Sequence, residues 1–522
     1  MFHPRRTLRA LLLPLAAGLA LTALPAQTAQ AATTLTNGGF ETDGAGTATP
    51  AGWSTYSATG QNSASFTESG GHAGSYRLSH YSASAYKVET YQYLSGLTNG
   101  AYKLTAWVRS GGGQNSAYLA LKNCGSAEQR TDLPVSSSNW IRIVTSINVT
   151  NNQCTISVNS DANAGNWINV DDLTFTSGST GLSVKGADIS SLPKSEAFGG
   201  VYRTASGTAG DAVGILRSAG MNYARLKVWV NPADGYNNKT RTLALAKRIK
   251  ASGMKLLVDF HYSDTWADPG KQTKPAAWSG HSYSQLKTDV YNHTYDVLNA
   301  LKARGTTADM VQVGNEINGG MLWSEGSTDN WSQLAGLLNS GYSAAKAVSS
   351  GTQVALHLAN AGDDATVRWW FDSARTYGVN YDLIGLSYYG YWHGSLAAAQ
   401  TTLDDVASRY AKPVFIAETA YPFRLDSDDA LVNQIDTTGE LVGGYPATAA
   451  GQLAWMNAVA NIVEAVPNGR GLGVFYWEAT WTAVTGNGWD PADASSGNGW
   501  ENQALFGFDD RALSSMAWFA HR

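Results

Sequence analysis

The spacing of apolar positions changes once along this chain. From Thr33 to about Ser177, short alternating or β-branched runs are separated by Gly, Ser and Asn: "YKLTAWVRS", "SAYLALKN", "WIRIVTSINVT", "CTISVNS" and "INVDDLTFT". Period-two runs broken by turn residues predict the strands of an all-β sandwich, and no amphipathic helix is expected there. The segment "SGSTG" at 177–181 reads as a short flexible linker. After residue 182 apolar runs alternate with helical segments. The runs are "VKGADIS", "YARLKVWV", "KLLVDFHY", "MVQVGNE", "QVALHLAN", "LIGLSYY", "PVFIAET" and "GLGVFYWE". Between them, as over 284–304, Leu286, Val290, Val297 and Leu301 recur on one helical face. Strand-helix alternation repeated this often over 182–522 predicts an α/β fold, a (β/α)8 TIM barrel, following the sandwich at 33–176.

Composition adds four constraints. Arg5, Arg6 and Arg9 precede the apolar run Ala10–Leu24, and Ala29-Gln30-Ala31 follows in an A-x-A pattern. Residues 1–31 therefore read as a secretory signal peptide, which predicts a secreted, extracellular protein beginning near Ala32. The formal net charge is −5, and loss of the leader makes it more negative, which disfavours a nucleic acid or an anionic membrane as partner. With 18 Trp and 25 Tyr the chain is rich in flat apolar faces bearing a polar edge, which suit the CH faces of sugar rings as well as a core. The two cysteines, Cys124 and Cys154, are expected to form a disulfide in an exported chain, contributing roughly 3 kcal/mol. A monomer is expected.

In a (β/α)8 barrel the functional groups sit where strands end. Those ends carry Arg225, Asp259, His261, Asp264, Asn315, Glu316, Tyr388, Tyr389, Glu418 and Trp477. Glu316 would end the fourth strand and Glu418 the seventh. Two carboxyls projected across a barrel mouth suit glycosidic-bond cleavage, retaining or inverting according to their separation. A lone strand-end glutamate is more often structural than catalytic, two of them on strands four and seven reverse that preference, and His261 reads equally as a core imidazole. Trp229, Trp266, Trp278, Trp323, Trp392, Trp477 and Trp481 lie on or after strand ends, where one or two would stack on sugars and the rest wall a cleft; Trp477 is the first choice.

The stretches "RLKVWVNP", "LLVDFHYSDTWADPGKQTKPAAW", "VQVGNEINGGMLW", "IAETAYPF" and "FYWEATW" resemble glycoside hydrolase family 53, the arabinogalactan endo-β-1,4-galactanases. The resemblance spans nearly the whole chain after residue 182. It implies a retaining endo-hydrolase acting on β-1,4-galactan side chains of pectin, with Glu316 as acid/base and Glu418 as nucleophile. It implies an Asn315 contact to the sugar 2-hydroxyl, Arg225 and Tyr388 or Tyr389 holding Glu418, and substrate contacts from His261, Asp264, Asp259, Trp392 and Trp477. No cofactor is expected for the chemistry. The resemblance also implies structural calcium in the loops after strands seven and eight, where Asp426, Asp428 and Asp429 offer hard oxygen ligands, although a plain acidic loop reads the same way. Related barrels cleave mannan, xylan or cellulose, and a barrel that has lost its chemistry would only bind glycan. In front, "LTNGGFETDG", "PAGWSTYS" and "NVDDLTFT" resemble jelly-roll carbohydrate-binding modules, with Trp53, Trp107, Trp140 and Trp167 as candidate contacts.

Overall fold

The computed structural model describes residues 35–521, so the expected signal peptide at 1–31 lies outside the described residues. The first domain has strands β1 (Ser54–Tyr56), β2 (Ser65–Ser69), β3 (Tyr76–Tyr81), β4 (Tyr86–Ser95), β5 (Gly100–Ser110), β6 (Gln114–Lys122), β7 (Gln129–Asp132), β8 (Ser136–Val149), β9 (Gln153–Ala162) and β10 (Trp167–Ser177). They form two antiparallel five-stranded sheets, β1-β4-β9-β6-β7 and β2-β3-β10-β5-β8. Alternation puts Leu104, Ala106 and Val108 of β5, Ile141 and Ile143 of β8, and Ile156 and Val158 of β9 into one buried core. Each large aliphatic buried this way contributes about 1.5–3 kcal/mol. Cys124 and Cys154 are disulfide-bonded across a separation of 30 residues.

The predicted runs coincide with β5, β6, β8, β9 and β10, while β1–β4 and β7 were not evident. In β3 and β4 the inward positions mix polar His80, Thr90 and Gln92 with Leu78, Tyr86 and Val88. His80 bonds Ser160 and Thr90, Thr90 bonds Ser65, and Gln92 spans Thr36 and Gly52. Buried polar side chains satisfied this way are tolerated in a core, but they erase the apolar alternation.

The second domain is a closed eight-stranded parallel barrel of β11 (Val184–Asp188), β14 (Tyr223–Val228), β15 (Lys255–Phe260), β16 (Met310–Val313), β17 (Gln353–Leu358), β18 (Leu383–Ser387), β19 (Val414–Thr419) and β20 (Gly471–Tyr476). A small hairpin, β12 (Tyr202–Arg203) and β13 (Ala209–Gly210), lies outside it. The helices are α1 (Leu192–Ala197), α2 (Ala212–Ser218), α3 (Lys239–Ala251), α4 (Tyr283–Ala303), α5 (Trp331–Val348), α6 (Asp364–Thr376), α7 (Leu396–Arg409) and α8 (Ala449–Glu464). Helix α4 shows why they form: Ser282 and Gln285 make a capping box at its start, and Leu286, Val290, Val297 and Leu301 are buried along one stripe. Among the described residues no helix is long and apolar enough to cross a membrane.

Strand alternation also layers the barrel interior. Its lower end is an apolar plug of Tyr223, Leu257, Met310, Ala355, Phe415 and Phe475. Gly186 and Gly385 make room for the plug, since a Cβ there would come within 2.4 Å of Phe475 and 2.9 Å of Phe415. Two residues further along six of the strands the inward positions turn polar, to Asp188, Arg225, Asp259, Gln312, His357 and Ser387, all buried, while β19 has Ala417 there. The next step up reaches the mouth. Barrel twist and a side-chain period of two thus convert a sequence pattern into three stacked layers.

The sandwich docks on the barrel through β8. Arg142 donates to both carboxylate oxygens of Asp404 on α7 and to the carbonyl of Ala465, while the Gln400 amide pairs with the Arg142 backbone N–H and C=O.

Candidate active site

At the C-terminal mouth of the barrel lies a cleft of about 810 Å³. Arg225 is the hub beneath it. This guanidinium, 1% exposed, donates to Asp188, Asp259, Gln312 and Asn315, and its Nη2 lies 2.7 Å from Glu418 Oε1. Five strands therefore converge on one planar cation, which a lysine's point charge would not satisfy. The surrounding carboxylates hold the Arg225 pKa well above its usual value against the opposing pull of burial.

The two glutamates meet different surroundings. Glu418, on β19, accepts from Arg225 on one oxygen and from the Tyr389 hydroxyl, 3.1 Å away, on the other. Glu316 follows β16 with φ 46°, next to Gly314 at φ 87°. A left-handed backbone at a non-glycine residue costs on the order of 1–3 kcal/mol, and it turns this carboxyl into the cleft. Its Oε1 accepts from Ser387 Oγ at 2.6 Å, and Ser387 Oγ lies 2.8 Å from His357 Nε2. Burial lowers the His357 pKa well below its usual value, so this ring is neutral; with Nδ1 taking the Gln312 amide and the Glu316 N–H, its proton is assigned to Nε2, facing Ser387.

Burial raises both carboxyls, Glu316 to about 7 despite the Ser387 hydrogen bond and Glu418 to about 8, so the shifts alone do not rank the pair. The Arg225 guanidinium opposes the rise at Glu418. Two neighbouring buried carboxyls do not both ionise without cost. Hydrogen bonding favours the charge on Glu418, which a cation and a phenol clamp, over Glu316, which a single hydroxyl meets. Opposite protonation states on two carboxyls of one cleft are what proton donation paired with nucleophilic attack requires.

Of the other predicted residues, Asn315, His261, Tyr389, Trp392 and Trp477 line the cleft. His261 Nδ1 accepts from Trp229 Nε1 and the Ala267 N–H, which leaves its proton on Nε2, facing Asp259 at 3.1 Å. Trp266, Trp481 and Trp500 join Trp477 in an aromatic wall, with Trp477 and Trp500 edge-to-face at 4.6 Å. Trp266 rests on the Lys227 ammonium, 4.2 Å from its ring, and Lys227 is ion-paired with Glu478.

Several expectations require correction. Tyr388 does not reach the cleft: alternation sends it outward, where it packs near Trp455 and donates to the Gly394 carbonyl. Asp259 is wholly buried under the floor, engaged by Arg225 and His261. Asp264 caps loops, accepting from the backbone of Asn231 and Ala276. Trp229 and Trp278 are buried, and Trp323 bonds back to Gly319; none lines the cleft. In the sandwich Trp53 is a core residue beside Phe40, donating to the Asn37 carbonyl. Trp107, Trp140 and Trp167 are partly exposed, and Arg109 lies over Trp140 and Trp167.

The aspartates of the expected calcium site are differently engaged. Asp426 pairs with Arg424, and Asp429 accepts from the backbone of Leu431 and Asn498. Among the described residues no group of three or more His, Cys, Asp or Glu is placed to hold a metal ion.

Asp188, Gln312, His357 and Ser387 were missed as contributors. Each sits inward on a barrel strand, two or four residues from an inward apolar position, so strand phase was the available signal. Lys227, Asp268, Trp489 and Trp500 also line the cleft.

Comparison with known proteins agrees with this geometry. The model for Glycosyl hydrolase family 53 matches residues 184–519. The endo-beta-1,4-galactanase of Bacillus subtilis (strain 168) is 36% identical over 374 residues, covering 65% of this chain and 85% of that protein. The arabinogalactan endo-beta-1,4-galactanase of Thermothelomyces thermophilus is 35% identical over 346 residues, covering 65% of this chain and 99% of that one. Among solved structures, the Ignisphaera aggregans GH53 catalytic domain superposes with a TM-score of 0.62 at 38% identity, covering 65% of this chain and 95% of that domain. The matched span begins at the first barrel strand and leaves the sandwich outside it. With a closed (β/α)8 barrel, a carboxyl pair at its mouth and a family match over the whole barrel, the chain belongs to glycosyl hydrolase family 53.

Proposed function

We propose that this protein is a secreted, retaining endo-β-1,4-galactanase that cuts internal bonds of the galactan side chains of pectin. The galactanase activities for which its relatives are named support the substrate. The single observation that carries the mechanism is the contrast between Glu418, clamped by Arg225 and Tyr389, and Glu316, met by Ser387 alone. Glu316 gives its proton to the glycosidic oxygen as the bond breaks, and Glu418 attacks the anomeric carbon to form a covalent glycosyl-enzyme. Glu316, now ionised, takes a proton from water as that water displaces Glu418. Asn315, oriented by its bonds to Arg225 and Ala267, offers its remaining amide hydrogen to the sugar. The wall of Trp266, Trp477, Trp481 and Trp500 supplies flat faces for sugar stacking. No metal enters any step.

The sandwich domain is proposed to bind glycan, which would raise the local enzyme concentration on an insoluble polymer. Reducing-end release from linear β-1,4-galactan, alongside mannan, xylan and cellulose, tests the substrate. Cleavage of another polymer alone would overturn galactan and keep the mechanism. Silence on all of them would favour a protein that only binds glycan.

A further inference from the structure

A second gap, of about 320 Å³, lies at the seam between the sandwich and helix α7. Its sandwich wall is His72, Trp107 and Trp140. The His72 imidazole stacks on Trp107 with ring centroids 3.9 Å apart and meets Trp140 edge-on at 5.8 Å. Asp172 fixes His72 Nδ1 at 2.7 Å, and Arg109 lies 4.6 Å from the Trp140 ring centroid on the adjoining surface. The barrel wall is lower and mixed, with Ala397 and Ala398 as its small residues and Ser395 and Thr401 as hydroxyls.

The ionisable groups of the lining are already paired, His72 with Asp172 and Asp404 with Arg142. The gap therefore presents no uncompensated charge to a ligand. Trp107 is already covered by His72 and by Arg142, 5.3 Å from its ring, so Trp140 is the aromatic surface left to the gap; with the hydroxyls across from it, this surface suits a neutral, hydroxylated ring. Position names the source of that ring. Trp392 and His393 line the catalytic cleft, and Ser395, two residues on, lines the seam. The short segment from Trp392 to Ser395 thus joins the two linings.

We propose that the seam is a distal glycan subsite assembled from both domains, taking a sugar of the same polysaccharide that the cleft cuts. The inference rests on the polysaccharide-hydrolase reading above. Glycan binding by the sandwich then depends on α7, and the Arg142–Asp404 contact keeps the two walls in register.

The test uses the full chain with Trp140→Ala, which removes the sandwich wall, and separately Ala398→Leu, which fills the gap from the barrel side. Both are compared with the parent at matched melting temperature. KM for the polymer is expected to rise about three- to tenfold in each, the range one lost stacking contact implies, with kcat and cleavage of a short oligosaccharide unchanged. In a Glu418→Gln background both substitutions should weaken retention by a gel containing the polymer. Unchanged polymer KM and unchanged retention would overturn the proposal. If a polymer other than galactan is the one cleaved, that polymer is used, so failure of the galactan reading and failure of the seam subsite give different results.

Discussion

Ser387→Ala isolates the proton donor's environment. The Ser387 hydroxyl reaches Glu316 Oε1 at 2.6 Å and stabilises the ionised carboxylate in preference to the acid. A hydrogen bond to a charged group is worth about 1.5–3 kcal/mol, part of which a water entering the vacated space restores. The net loss is about 1.4 kcal/mol, which corresponds to about one pKa unit. The sign follows from which form loses its partner: the carboxylate does, so the Glu316 pKa rises from about 7 toward about 8. Glycosylation requires Glu316 protonated, so loss of that proton sets the alkaline limb of kcat/KM against pH. The expected result is an alkaline limb moved up by about one unit with the acid limb fixed. The deletion also strands the buried His357 Nε2–H, and denaturant unfolding should register a loss of about 1–3 kcal/mol. A displaced acid limb with a fixed alkaline limb would mean that Glu316 acts ionised, refuting its role as donor.

Tyr389→Phe perturbs the other carboxyl: losing its hydroxyl donor raises the Glu418 pKa, so the acid limb should move up while the alkaline limb stays, with kcat falling about tenfold or more as measured by steady-state hydrolysis. Replacing both Cys124 and Cys154 by Ser should cost roughly 3 kcal/mol on unfolding of the sandwich, read from the shift in denaturant midpoint, with barrel activity retained. His80, buried and held neutral with its pKa lowered to about 3, binds its proton more readily when unfolded. Its contribution to stability is complete above about pH 6.5 and is lost progressively as pH falls toward 3, so the slope of Tm against pH in that window should lessen in His80→Gln.

The barrel was legible because its strands are buried on both faces and read as unbroken apolar runs, which placed all eight. Glu316 and Glu418 were legible because each closes such a run. The support beneath them was harder to see. Gln312, His357 and Ser387 sit inside apolar runs, where a lone polar residue looks incidental until strand phase shows that several point to one axis. Tyr388 and Tyr389 show the same limit from the other side: adjacent tyrosines carry equal sequence weight, and only pleat phase sends one to the cleft and the other to the helix layer. Asp264 misled because an aspartate accepting backbone N–H bonds has the same letter as one that binds substrate. In the sandwich, inward Thr90, Gln92 and His80 hid two strands, and Trp53 gave no sign in sequence that its ring faced the core.

The division of labour between the two glutamates is tested most directly by trapping. A 2-deoxy-2-fluoro galactobioside with an activated leaving group slows release of the glycosyl-enzyme more than its formation, and peptide mass mapping then locates the attached sugar. The account predicts one adduct, on the peptide carrying Glu418, absent in Glu418→Gln and still formed in Glu316→Gln when the leaving group needs no proton. A sugar on Glu316, or turnover with inverted anomeric configuration and no adduct, would contradict it.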